Sequence, residues 1–249
     1  MSLLSVQREG SGPPFVWLHG FTHTRASAHR FRSILAGDHE LLTFDLPGHG
    51  TSAALAASLE ETADLVVDAL DDDPVALGGY SLGARVALHV ALRHPDRVSR
   101  LVLLGATRGI EDPQQRRARR ERDETLAARI EVIGTSAFLD EWLAQAMFAA
   151  LPVDPVERLA RSSDGPGLAN SLRRSGTGTQ EWLEPRLSSI EVATLALAGA
   201  HDEKFTLEAR AIADRVARGR YEGIAHANHA AHLEAPEASA QAISSFLAN

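Results

Sequence analysis

The chain of 249 residues contains no cysteine. That absence excludes disulfides, zinc–thiolate sites, iron–sulfur clusters and thiol catalysis. Lysine is nearly absent too: Lys204 is the only one, and every other basic residue is arginine. The lone lysine reads as genomic base composition rather than as a functional signal. Long apolar runs are also missing. The longest, Val192 to Ala200, is broken by Thr194 and Gly199, far short of the ~20 residues a membrane span needs. Basic residues are in deficit, 25 against 33 acidic, for a formal charge of −8. This sign argues against nucleic-acid partners and against an anionic membrane surface. The opening Met1-Ser-Leu-Leu-Ser-Val-Gln-Arg8 lacks a basic stretch followed by a long apolar one. No signal peptide is therefore expected, and a cytoplasmic enzyme is the default.

What is present is a βα alternation. Short apolar runs at Leu3–Arg8, Phe15–His19, Glu40–Asp45, Pro74–Tyr80 and Val98–Leu104 read as strands. Ser58–Leu70 and Leu82–Arg93 carry helical spacing. Strand and helix in alternation predict an α/β fold, a mostly parallel central sheet flanked by helices. From Arg108 to about Leu187 no strand is evident. Helical periods run over Ala118–Ile133, Ser136–Ala149 and Asp154–Arg161, with breaks expected at Ser162-Ser-Asp-Gly-Pro-Gly167 and Ser175-Gly-Thr-Gly178. The alternation then resumes with a strand at Thr194–Gly199, a helix at Thr206–Val216, a weaker strand at Arg220–Ile224 and a closing helix at Pro236–Leu247. The expected organisation is one core domain, residues 1–107 and 188–249, split by a helical lid, 108–187. The lid holds twelve arginines against thirteen acids, so the core carries most of the negative charge.

Gly79-Tyr80-Ser81-Leu82-Gly83 is the sharpest chemical signal. A Gly-x-Ser-x-Gly pentapeptide between strand and helix forms a tight turn that lifts a serine hydroxyl to the sheet's carboxyl edge. A serine hydroxyl is weak alone and needs a histidine and an orienting carboxylate. Asp202 lies just past the strand ending at Gly199, and His229 lies past the last strand. Asp45 and Glu203 are rivals for the acid, and Asp45 reads better as a turn cap. His226, His229 and His232 have i, i+3 spacing, but no acids stand at matching ligand spacing, so no metal is expected. His226 and His232 read as loop and packing residues. In this architecture the loop after the second strand supplies one oxyanion-hole N–H and the residue after the serine the other. Those are Phe21, in His19-Gly20-Phe21, and Leu82. His19 reads as a brace.

With Leu18-His-Gly-Phe21, Phe44-Asp-Leu-Pro-Gly-His-Gly-Thr-Ser52 and His229-x-x-His-Leu-Glu-x-Pro236, the chain resembles the α/β-hydrolase superfamily over nearly its whole length. The insertion is more discriminating. Ala118-Arg119-Arg120-x-x-Asp123, Leu126-Ala-Ala-Arg-Ile130, Phe138-Leu-Asp-Glu-Trp142, Arg161, Gly176-Thr-Gly-x-Gln180 and Asp202-Glu-Lys-Phe205 resemble the 2-succinyl-6-hydroxy-2,4-cyclohexadiene-1-carboxylate synthase family of menaquinone biosynthesis. The resemblance implies elimination of pyruvate from an enolpyruvyl cyclohexene bearing three carboxylates, with no metal or organic cofactor. It implies Arg85, Arg119 and Arg161 as carboxylate-binding positions, with Tyr80 and Trp142 as pocket walls. Arg120 rivals Arg119, because five of the seven residues from Arg116 to Arg122 are arginine, a pattern common on solvated helix faces. Ala84 and Ala146-Met147 depart from the family's usual glycine and proline-containing dipeptide. The alternative is a serine hydrolase of an ester, lactone or carbon–carbon bond, which the same triad would serve. A small-molecule polycarboxylate is the one partner expected. A monomer and a homo-oligomer are both compatible with the sequence.

Overall fold

A computed structural model describes residues 3–248. Met1 and Ser2, the start of the opening segment in which no signal peptide is expected, and Asn249, at the end of the core span, lie outside the described residues. Seven strands form one sheet in the order β1-β3-β2-β4-β5-β6-β7. They are β1 (Val6–Glu9), β2 (Pro14–Leu18), β3 (Glu40–Phe44), β4 (Val75–Tyr80), β5 (Val98–Leu104), β6 (Ala193–Gly199) and β7 (Arg218–Ile224). Only β1 runs antiparallel, against β3. The inner strands read as continuous apolar runs because helices cover both faces of a parallel sheet. Leu101, Leu104, Leu195 and Leu197 are all fully buried.

On the sheet's faces lie α1 (His29–Leu35), α2 (Leu59–Asp68), α3 (Leu82–Arg93), α8 (Glu203–Arg215), the short α9 (Ala231–Glu234) and α10 (Pro236–Leu247). Helix α2 begins with a capping box, in which Ser58 Oγ accepts from Glu61 N–H while Glu61 accepts from Ser58 N–H. Helix α1 carries no such signal. Ala28 precedes it in the left-handed region, φ 59°, with no side-chain cap, and the sequence did not reveal it.

Between β5 and β6 the chain forms α4 (Pro113–Ile133), α5 (Thr135–Leu143), α6 (Pro155–Leu159) and α7 (Gly165–Ser175). The expected helix over Ser136–Ala149 stops at Leu143 and gives way to a 3-10 turn at Ala146–Phe148. The expected break at Ser162–Gly167 holds over Ser162–Asp164, and its second half, from Gly165, is already the start of α7. Asp164 caps it by accepting from Gly167 N–H at 2.6 Å, and a proline fits the first turn, where its missing N–H is not needed. Gly167 is required for contact rather than for a break. A Cβ there would lie 2.7 Å from Gly48 O and 2.9 Å from Ala53 O in the core. Three of these helices, α4, α5 and α7, share an apolar cluster of Ala127, Ile130, Phe138, Leu168, Ala169 and Leu172, against which Phe21 and Trp142 pack. None of the described helices is long and apolar enough to cross a membrane.

Candidate active site

Ser81 follows the last residue of β4 and caps α3 with φ 51° and ψ −104°. A non-glycine residue held at positive φ is strained and persists only where its surroundings dictate it. They do so here. Ser81 N–H donates to Leu104 O at 2.8 Å. A Cβ on Gly83 would lie 2.1 Å from Leu18 O, so β2 and the start of α3 can touch only through glycine. The hydroxyl is thereby presented at the sheet's carboxyl edge.

Two neighbouring strands deliver its partners. Asp202 leaves β6 and caps α8, with Oδ1 accepting from Phe205 N–H at 3.2 Å. His229, in the loop after β7, is nearly fully buried. Its Nδ1 lies 3.1 Å from Asp202 Oδ2 and its Nε2 lies 3.2 Å from Ser81 Oγ. A carboxylate only accepts, so the proton sits on Nδ1 and the bare Nε2 accepts from the serine. Burial opposes ionisation of Asp202, but the His229 and Phe205 N–H donors outweigh it, and the carboxyl lies below its ordinary range. Phe205 packs on the imidazole at 4.1 Å between ring centres, with Tyr80 at 5.2 Å. This arrangement can draw a proton from the hydroxyl. Phe21 and Leu82 both line the cavity in front of Ser81. Neither of their backbone N–H groups donates to an acceptor among the described residues, as an oxyanion site needs.

That cavity has a volume of about 230 Å³. Its wall carries Arg85, Arg119, Arg122, Arg161 and Lys204 and no carboxylate side chain. Arg85, one helical turn past Ser81, is buried. It donates to Ser175 O at 2.9 Å and, more weakly, to Gln180 Oε1 at 3.4 Å. Burial, with Arg119 nearby, lowers its pKa to about 10, so it remains a cation at neutral pH. Arg161 is likewise buried, donating to Thr22 Oγ1 at 2.8 Å, and burial lowers its pKa. Arg119 is half-buried and pairs with Asp123 at 2.8 Å. Arg120 turns away, donating to Gly178 O at 3.3 Å, and does not line the cavity. Tyr80 and Trp142 do line it. Trp142 bridges the helical segment to the loop after β2, 5.1 Å from the Phe21 ring.

The remaining candidates fall elsewhere. Asp45 accepts from Arg25 N–H at 2.8 Å and from Thr51 N–H and Oγ1 at 2.9 Å, the work of a turn cap. His19 accepts from Leu46 N–H at 3.0 Å and braces that loop. His226 is exposed, and His232 lies under Tyr80, ring centres 4.2 Å apart. No group of metal-ligating side chains occurs among the described residues. Ala84 is wholly buried in the core, while Met147 lines the cavity. Sequence reasoning passed over Arg122 and Lys204. Arg122 lay inside a run that reads as a solvated face. Lys204 lies two residues past Asp202, and its being the only lysine reads in the sequence as base composition.

Residues 13–236 match the α/β-hydrolase fold family. The 2-succinyl-6-hydroxy-2,4-cyclohexadiene-1-carboxylate synthase of Yersinia enterocolitica is 32% identical over 253 residues, covering 98% of this chain and 89% of that one. The structure of MenH from S. aureus superposes with a TM-score of 0.91 at 29% identity, covering all of this chain and 98% of that chain. A thermophilic esterase from Thermogutta terrifontis, at 24% identity and TM-score 0.82, shares the fold. A serine–histidine–aspartate edge under a cationic helical roof thus coincides with near full-length similarity, and the chain belongs to the 2-succinyl-6-hydroxy-2,4-cyclohexadiene-1-carboxylate synthase family of α/β-hydrolase-fold enzymes.

Proposed function

We propose that this enzyme eliminates pyruvate from 2-succinyl-5-enolpyruvyl-6-hydroxy-3-cyclohexene-1-carboxylate, using Ser81, His229 and Asp202 as a base. The observation that carries the reading is the five-cation, carboxylate-free wall around Ser81 in a chain of net charge −8. A site for neutral esters has no use for buried guanidinium groups, whose desolvation is costly unless an anion arrives to meet them.

His229, held by Asp202, draws the proton of Ser81 and raises its basicity. Ser81 removes the acidic ring proton beside the succinyl ketone. The electron pair moves into the ketone, whose oxygen is held as an enolate by the Phe21 and Leu82 N–H groups. As the enolate collapses, the ring C–O bond to the enolpyruvyl group breaks. The departing oxygen takes back the proton, and pyruvate leaves as its enol. The ring keeps a conjugated diene. Arg85, Arg119 and Arg161 hold carboxylates, and Tyr80 and Trp142 wall the ring. A cytoplasmic location belongs to the same proposal, because a tricarboxylate substrate has no affinity for a bilayer interior.

Pyruvate release, coupled to lactate dehydrogenase, tests the reading against p-nitrophenyl ester turnover by the same preparation. Rapid release with slow ester cleavage is expected. Ester turnover at ordinary hydrolase rates without pyruvate would sink the proposal in favour of nucleophilic hydrolysis.

A further inference from the structure

Three carboxylates need three cations that are not already neutralised. Within the cavity, Arg85 and Arg161 meet only neutral oxygen acceptors. Arg119 can still donate to a carboxylate, but its charge is already matched by Asp123 at 2.8 Å. Two further cations stand on the exposed part of the wall. Arg122 lies three residues after Arg119 on α4, so both fall on one face of that helix. Lys204 comes from the opposite component, at the start of α8. Among the described residues neither forms an ion pair, although arginines elsewhere on the surface commonly do, such as Arg93, Arg129, Arg173 and Arg215. Lys204 Nζ instead lies over the Phe205 ring, 5.1 Å from its centre, and that ring packs on His229. The ammonium, which forms no ion pair but helps to hold the Asp202 carboxyl down, thus stands beside the reacting groups.

We propose that Lys204 and Arg122 form an outer carboxylate-binding position at the cavity mouth, completing the set of cations that a tricarboxylate requires. This rests on the function proposed above and extends it. The two cations come from separate parts of the fold, so a bound carboxylate between them would tie the helical segment to the sheet edge. Being exposed, they would meet the incoming anion first, and their contribution would weaken with salt.

Pyruvate release by the unaltered enzyme judges the proposed function alone. Lys204→Gln and Arg122→Gln are each expected to raise KM about tenfold, as befits one charge-assisted contact, with kcat nearly unchanged and with flatter salt dependence of kcat/KM. Lys204→Arg should restore KM. A second readout needs no turnover. Because Lys204 is the only lysine, acetylation by an N-hydroxysuccinimide ester, followed by peptide mass spectrometry, reports its occupancy. Citrate should shield Lys204, and trimethyl citrate should not. If no pyruvate is released yet citrate shields Lys204, the proposed function falls and the outer position stands. Acetylation indifferent to citrate, or KM unchanged in both glutamine variants, overturns the position. So does a fall in kcat at constant KM in Lys204→Gln, which would assign the lysine to supporting the nearby Asp202 carboxylate instead.

Discussion

The sheet edge and the helical segment between β5 and β6 solve different problems with different materials. At the edge, backbone geometry places the chemistry. Ser81 is held at φ 51°, and Asp202 and His229 arrive on loops after β6 and β7. Contacts under 3 Å from a hypothetical Cβ on Gly79 and Gly83 leave no room for other residues. The helical segment is nearly neutral, and many of its arginines are tied to acids, as Arg173 is to Glu124 and Glu131. Yet it supplies Arg119, Arg122 and Arg161 to the cavity, while the core supplies Arg85 and Lys204. The lesson concerns convergence. Lack of an acid partner does not by itself mark the binding surface, since Arg116 and Arg120 meet only backbone oxygens and lie outside the cavity. What marks it is that cations from separate elements face one cavity with Ser81.

If reaction and recognition are divided in this way, they should fail differently. Ser81→Ala removes the base while leaving the cationic wall intact. We expect kcat for pyruvate release to fall by about 10⁴-fold or more with KM little changed. Arg85→Ala leaves the triad intact but removes a buried cation. The expected loss is about 2–5 kcal/mol in kcat/KM, roughly 30-fold or more. Steady-state kinetics of both variants decides the matter. An Arg85→Ala enzyme with unaltered kcat/KM would show that the buried guanidinium is structural.

The division also explains what could be read beforehand. The strand–turn–helix around Ser81 and the order Ser81, Asp202, His229 were legible because local spacing dictates them. Six of the seven strands were placed within a few residues for the same reason. The edge strand β1 came out shorter than expected, because only Val6–Glu9 pairs with β3. Helix α7 was hidden because Gly165-Pro-Gly167 looks like a break, whereas Gly167 is there to admit the backbone of Gly48. Which of five neighbouring arginines faces the cavity depends on how α4 closes over the sheet edge, and no local pattern encodes that. The motif match did favour Arg119 over Arg120. It was silent on Arg122.

Acid should distinguish the two regions again. Buried histidines concentrate in the core, where burial holds His49 and His232 down to about 3 and His89 to about 4. These groups stay neutral in the folded protein but take up protons on unfolding once pH drops below about 6.5. Their contribution is fully present above that pH and is lost progressively as pH falls towards their folded values. At pH 5 each of His49 and His232 costs about 2 kcal/mol of stability. Tm measured by calorimetry should be level above pH 7 and fall steeply from pH 6 to 4. His232→Phe should flatten that fall. A Tm constant down to pH 4 would contradict the burial of these rings.

The finest comparison lies within one arginine run. Arg119 lines the cavity with its charge shared by Asp123, whereas the adjacent Arg120 donates to Gly178 O outside it. Successive residues on a helix point about 100° apart, so neighbours in sequence cannot serve the same ligand. Arg119→Gln should therefore raise KM about tenfold, less than the loss at Arg85, because its guanidinium is half-exposed and already partnered. Arg120→Gln should leave kcat/KM within about twofold and cost at most ~1 kcal/mol in stability, the worth of a single exposed hydrogen bond. Measuring both variants in parallel removes differences in preparation and in net charge, since each loses one positive charge from the same helix. Equal effects would mean that the run acts as a diffuse electrostatic field, and the distinction between paired and cavity-facing arginines would lose its meaning on α4.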